Sequence, residues 1–323
     1  MSLNGVGHLA GKNIAVTGAG NGIGRAIALA CAAEGANVVV ADYGVSMEGS
    51  DPSSEVADAV VAEIAAAGGT AIAVAGDVSE MEVGQRIVDT AVENWGSIDG
   101  VVCVAGIVRE RMLFNMSEEE FDHVVGVHLK GHFTLYKAAS AVMRKQETGG
   151  SLVGFTSGAF VASTAQANYS AAKGGIVSLT RSAAFALKKY GVNANCIAPA
   201  ATAQMSENVP FEIEAGGPEA IAPLAVWLMS DAARDVTAQI YTCTGKRIAV
   251  WNQPAEIRHM WADDGASFSV DEIAEKLPAT IGDEEMPMFA DLERRMKEMA
   301  LAKEQAKEAK EQAEEQAGSA SGA

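Results

Sequence analysis

The sequence predicts a doubly wound α/β fold with one parallel seven-stranded sheet and an appended helical C-terminus, and three observations predict it. Short Val- and Ile-rich runs alternate with longer Ala-rich stretches, the signature of successive βαβ units. The runs are apolar at consecutive positions rather than alternate ones, as in strands buried on both faces. A glycine-rich loop separates the first run from the first helical stretch.

Taken in order, the first strand is IAVTG at 14–18, followed by the loop Thr17-Gly-Ala-Gly-Asn-Gly-Ile-Gly24 and a helix in RAIALACAAEG. VVVAD at 38–42 is the second strand. The polar segment YGVSMEGSDPSS at 43–54 is longer than the usual strand-to-helix connection. The third to seventh strands are AIAVAGD at 71–77, GVVCVAG at 100–106, SLVGFTS at 151–157, VNANCIAP at 192–199 and AQIYTCTG at 238–245. Gly68, Gly96 and Gly191 follow EIAAA, VENW and LKKY, where a left-handed residue ends a helix.

After about residue 246 the pattern weakens, and from Asp291 the chain becomes an Ala/Glu/Lys/Gln run. Leu292, Met296 and Met299 are the apolar anchors of its first turns. We expect a single domain over 1–285 and a charged helical tail over 286–323 that ends in a disordered Gly/Ser segment. An oligomerisation helix is the other reading of the tail.

Composition narrows the function. A net charge of −18 over 323 residues argues against nucleic acid as a partner, because phosphate binding needs a basic face. No apolar run approaches the roughly 20 residues of a membrane span, and MSLNGVGHLAGK lacks the core of a signal peptide. A cytoplasmic protein is expected. Cys31, Cys103, Cys196 and Cys243 lie singly in apolar segments without a C-x-x-C, so neither disulfides nor a metal site is expected.

The loop after the first strand carries the first chemistry. Glycines there let the backbone turn tightly and approach a pyrophosphate, whose charge sits on the free amides of the helix start. Gly18, Asn21, Gly22, Ile23 and Gly24 are the candidate contacts. Asp42 closes the second strand about twenty residues on, the place of a ribose-binding carboxylate in a Rossmann fold. No Lys or Arg follows it in YGVSMEG, so NAD is favoured over NADP. A helix-capping Asp is the alternative.

The second constellation is Ser157, Tyr169 and Lys173. Residues four apart on a helix share a face, so the phenol of Tyr169 and the ammonium of Lys173 occupy one small volume. A cation held there lowers the phenol pKa towards the working pH and makes it a proton donor and acceptor. By itself the pair also reads as an amphipathic helix with a snorkelling lysine. Beside a nicotinamide, it supplies the proton that must accompany a hydride, and Ser157 can hold the same oxygen.

With these motifs the sequence resembles the short-chain dehydrogenase/reductase family over roughly residues 8–250. Within it, GIVRER at 106–111, VHLKGHF at 127–133, QANYSAAKGG at 166–175, CIAPAATAQM at 196–205 and APLAVWL at 222–228 resemble the (3R)-hydroxyacyl-CoA dehydrogenase units of peroxisomal multifunctional enzyme type 2 and bacterial relatives. The resemblance implies Ser157, Tyr169 and Lys173 as the catalytic group, with Tyr169 as acid/base and Lys173 also on the nicotinamide ribose. It implies Asp77 and Val78 beside the adenine, Ala105 and Gly106 along the cofactor, and homodimers or homotetramers through helices near 117–143 and 166–190. Where the family has Asn-Asn-Ala-Gly this chain has Cys103-Val104-Ala105-Gly106, and His128 stands for the proton-relay Asn. His128 reads either as a relay group or as a histidine packed on backbone.

Phe114, Met116, Phe160, Val161, Met205 and Phe211 suggest an apolar substrate pocket, although each also reads as core. Arg109 and Arg111 read either as CoA phosphate ligands or as surface ion-pair partners. The expected reaction is NAD-dependent interconversion of a secondary alcohol and a ketone, with a 3-hydroxyacyl-CoA as substrate, its acyl chain steroid-derived in some relatives. The alternatives are a free hydroxysteroid substrate and, in another class, a non-catalytic NAD-binding sensor or scaffold.

Overall fold

The computed structural model describes residues 7–44, 53–199 and 216–252, together with 256, 259–262, 267–281, 294, 297, 298, 301 and 304. Two compact units are distinguished, Met1–Asn252 and Gln253–Ala323.

The first unit alternates strands and helices: β1 (Asn13–Thr17), α1 (Gly22–Ala33), β2 (Asn37–Asp42), α2 (Glu55–Ala66), β3 (Thr70–Ala75), α3 (Met81–Trp95) and β4 (Gly100–Cys103). There follow α4 (Glu118–Val125), α5 (Gly131–Met143), β5 (Gly150–Phe155), α6 (Ala167–Leu187), β6 (Val192–Pro199), α7 (Ala222–Met229), β7 (Ile240–Cys243) and β8 (Ile248–Val250). The sheet order is β3-β2-β1-β4-β5-β6-β7-β8. All seven expected strands pair in parallel. β8 adds an eighth, antiparallel to β7, reached by a hairpin through Gly245 at φ +80°.

Side chains alternate between two cores, as the pleat requires. Ile14, Val16, Val38, Val40 and Val102 face α1, α2 and α7, whereas Ala15, Val39, Ala41, Val101 and Cys103 face α3, α5 and α6. Gly68, Gly96 and Gly191 all take left-handed conformations, with φ of 84°, 84° and 70°. All four cysteines are buried and unbridged. No helix among the described residues is long and apolar enough to cross a membrane.

Between α4 and α5 the helix widens into a π turn at Gly126–Lys130. Such bulges are rare and commonly mark functional sites. α4 itself starts with a full capping box, Ser117 accepting from Glu120 N and Glu120 accepting from Ser117 N.

In the second unit, α8 (Val270–Thr280) is capped by Ser269, whose hydroxyl accepts from Glu272 N at 3.1 Å. Residues 294, 297, 298, 301 and 304 are helical. Leu292, Met296 and Met299, most of the 43–54 loop, Met205 and Phe211 lie outside the described residues.

Candidate active site

The motif residues outside the helices lie at or beyond the carboxyl ends of strands. In sheet order these are Asp77 and Val78 after β3, Asp42 ending β2, the loop 18–24 after β1, Ala105 and Gly106 after β4, and Ser157 after β5. In doubly wound sheets the crevice outside these ends, where the strand order reverses between β1 and β4, is where ligands bind.

β1 turns into the crevice through Gly18 at φ +64°, and a Cβ there would lie 2.8 Å from the Ala105 backbone. Only glycine meets both conditions. α1 then starts at Gly22 with no side-chain cap from Asn21. Its first-turn amides, those of Gly22, Ile23 and Gly24, are thus left for an anion.

Asp42 is fixed at the next strand end, its Oδ2 accepting Gly20 N–H at 2.8 Å and its Oδ1 accepting Gly44 N–H at 2.7 Å. Each oxygen retains a lone pair for a ribose hydroxyl. Its partners are loop amides, not the first turn of a helix. Asp77 closes a local turn by accepting Ser79 N–H at 2.8 Å, while the carbonyl of buried Val78 takes the Thr134 hydroxyl at 2.7 Å. An uncapped helix start, a glycine turn and a fixed carboxylate together fit a dinucleotide.

Thr17 opens the loop motif without a role assigned to it from sequence, and its buried hydroxyl accepts the amides of Val104 at 3.2 Å and Ala105 at 3.3 Å. This anchors the segment that follows β4.

Tyr169 and Lys173 do share one face of α6, with Lys173 Nζ 5.2 Å from the phenol ring centroid. The buried Lys173 donates to the Phe155 carbonyl at 2.6 Å. Ser157 Oγ accepts Ala159 N–H at 3.2 Å, and the Ser157 side chain also acts on the Tyr169 phenol. The electrostatics differ from the sequence expectation. Burial pushes the Tyr169 phenol up, and it is Ser157 that pulls it down. Lys173, buried too, is pushed down to about 7 and so carries only part of its charge near neutrality.

His128 lies in the π turn with its ring edge-on to Tyr169, centroids 5.2 Å apart. Nε2 lies 2.8 Å from the Ile107 carbonyl and 3.2 Å from the Ile107 amide, so the packed-on-backbone reading describes that nitrogen. Nδ1 is buried without a protein partner. Burial, reinforced by Lys173, pushes His128 well below its ordinary value and keeps it neutral. The ring also dictates glycine at 106, where a Cβ would fall 2.2 Å from His128 Cε1.

Asn168, fully buried, was missed although it precedes Tyr169. It donates to the carbonyls of Arg109 and Glu120 at 3.0 Å each and accepts Tyr169 N–H at 2.8 Å, tying the segment after β4 and the start of α4 to α6. Arg111 is bound by Glu120 through two hydrogen bonds and holds that carboxyl down to about 2, as the surface reading expects. Arg109 donates to the Val108 carbonyl. Phe114 is exposed at 79%, Met116 and Val161 are half-buried, and Phe160 packs edge-on against Trp251 at 4.8 Å.

Comparisons with known proteins identify the family. The family model described as short chain dehydrogenase matches residues 12–210. The chain is 41% identical over 285 residues to "Hydroxyacyl-CoA dehydrogenase ChsB1" of Mycobacterium tuberculosis, covering 83% of this chain and 88% of that protein. It is 41% identical over 227 residues to "Peroxisomal multifunctional enzyme type 2" of Mus musculus, covering 70% of this chain but only 30% of that longer protein. Among solved structures, a short chain dehydrogenase from Mycobacterium avium superposes with a TM-score of 0.78 at 44% identity, covering 87% of this chain and 98% of the other.

Proposed function

The chain belongs to the short-chain dehydrogenase family and is an oxidoreductase, and on that premise we propose that it oxidises the secondary alcohol of a 3-hydroxyacyl-CoA with NAD. The observation that carries this reading is the meeting of Ser157, Tyr169 and Lys173 at the end of β5. A bound nicotinamide would supply the acceptor for the hydride of the carbinol carbon. Ser157 Oγ holds the alcohol oxygen, and Tyr169 Oη takes its proton. Ser157 eases the phenol towards ionisation, and Lys173 Nζ, anchored on the Phe155 carbonyl, is assigned to the nicotinamide ribose. His128 is read as a relay group through its unpartnered Nδ1. Asp77, Val78, Ala105 and Gly106 are assigned to line the cofactor.

NAD is preferred to NADP because Asp42 stands fixed beside the glycine loop, where a 2′-phosphate would meet its charge. The acyl-CoA class is supported by the names of the relatives. The unbridged, buried thiols fit a cytoplasmic protein. A homodimer or homotetramer through α4–α5 and α6 completes the reading.

The test follows NADH formation with 3-hydroxyacyl-CoAs, free hydroxysteroids and simple secondary alcohols, each with NAD and NADP. Turnover of CoA thioesters with NAD is expected; turnover confined to free steroids would replace the substrate, and bound NAD without any turnover would favour the sensor. Tyr169→Phe should lower kcat by about 10²–10⁴-fold while leaving NAD affinity within about twofold. Asp42→Ala should reduce the NAD over NADP preference by roughly 10–100-fold. An unchanged preference would remove Asp42 from the ribose site.

A further inference from the structure

His132 lies on α5, one turn beyond His128, and its ring is 1% exposed. Both nitrogens meet backbone. Nδ1 lies 2.6 Å from the His128 carbonyl oxygen, and Nε2 lies 3.1 Å from the Phe155 amide. The Phe155 residue is thereby held from two sides, since its carbonyl takes Lys173 Nζ. The carbonyl of Cys103, the last residue of β4, also acts on the ring. β4 and β5 pair as far as Cys103 and Gly154, so the imidazole sits where these two strands stop pairing.

We propose that His132 is a positioning residue for the catalytic group: it fixes the end of β5, which carries Ser157 and the Lys173 acceptor, to the π turn that sets His128 against Tyr169. The proposal rests on the dehydrogenase reading above. Its chemistry is that of one neutral tautomer. Nδ1–H donates to the His128 carbonyl, and the Nε2 lone pair accepts Phe155 N–H. A cationic ring would turn a second N–H against the Phe155 amide. The groups around it oppose that charge: Lys173 and His128 are basic, Cys103 and Tyr136 are buried and protonated, and the Tyr136 ring stands 6.1 Å away. Burial first and Lys173 second push His132 down to about 3. The ring is therefore a fixed hydrogen-bonding part at working pH, and the position of Lys173 depends on it.

Three variants separate its two bonds. H132Q returns an amide near Nε2, H132N returns one near Nδ1, and H132L returns neither. H132L should lower kcat by about 10–100-fold with KM for NAD within about twofold, as expected when catalytic groups are misplaced but the cofactor is not. Its kcat–pH profile should move by roughly half a unit or more, because the Lys173 acceptor is no longer fixed. H132Q should recover more than H132N, since the Phe155 bond leads to Lys173. A superimposable pH profile in H132L would overturn the proposal; if H132L does not fold, equal losses in H132Q and H132N would do so.

NMR of the ring nitrogens in the parent gives a readout independent of turnover. A neutral Nδ1–H tautomer from about pH 5 to 9 supports the clamp. The Nε2–H tautomer or a cation overturns it. Should the parent oxidise no alcohol, the Nδ1–H tautomer would still support the clamp and would locate the failure in the dehydrogenase reading.

Discussion

Lys173 shows how a single residue sets function against stability. Its ammonium is buried with one carbonyl acceptor, and burial lowers its pKa from 10.5 to about 7. Between these values the unfolded chain binds the proton and the native chain does not. Native stability from this residue is therefore full above pH 10.5 and is lost as pH falls towards 7, a term of the order of a few kcal/mol. Lys173→Met keeps the volume and removes the titration. The melting temperature of the variant relative to the parent should rise as pH falls from about 10 to 7 and level off below, while turnover collapses. Parallel stability–pH curves for the two proteins would mean that the lysine is not held in a desolvated state. The sequence made Tyr169 and Lys173 legible through their i,i+4 spacing. It could not reveal that burial would dominate both, because the segments that bury them, such as the end of β5 that takes the Lys173 bond, lie elsewhere in the chain.

At the scale of elements, the seven parallel strands were legible because each is a continuous Val/Ile-rich run between glycines. β8 was not, since three residues, Ile248 to Val250, are too short a run to stand out, and only Gly245 marks the hairpin before them. The π turn at Gly126–Lys130 leaves no compositional trace. The roles of Thr17, His132 and Asn168 were not legible for one reason: each meets backbone groups in another segment, and a single sequence does not say which of them a buried polar group will meet. α4 carries its own local signal in Ser117-x-x-Glu120. There the capping box, the Arg111 pair and the Asn168 bond converge on the start of one short helix. Ser117→Ala should cost about 1 kcal/mol, lowering the melting temperature by about 2–4 °C in a domain of this size. Thermal melts monitored by circular dichroism measure it, and an unchanged midpoint would show that the cap is redundant with the Glu120 contacts.

At the scale of the whole molecule, two helices present aromatic rings to solvent on faces opposite their buried ones. Phe133 on α5 is 45% exposed and Phe185 on α6 is 91% exposed, and α6 is lined outwardly by small residues at Ala171, Ser178 and Ser182. Small residues let helices approach closely, and burying one Phe contributes about 1.5–3 kcal/mol. Opposing this, each copy carries a net charge of −18. Like charge weakens association beyond contact range, and at about 0.1 M salt it is screened over roughly 10 Å. Hydrophobic contact at close range should thus prevail once salt is present, and the expected dimer should tighten as ionic strength rises. Light scattering across a salt series measures this at micromolar protein. The double variant F133D/F185D should be monomeric with an unchanged circular dichroism spectrum, because neither ring belongs to the two sheet cores. A parent that stays monomeric in high salt would remove the pairing, whereas a dimer that persists in the double variant would move it to another face, of which the exposed β8 edge with Ile248 and Val250 is the next candidate.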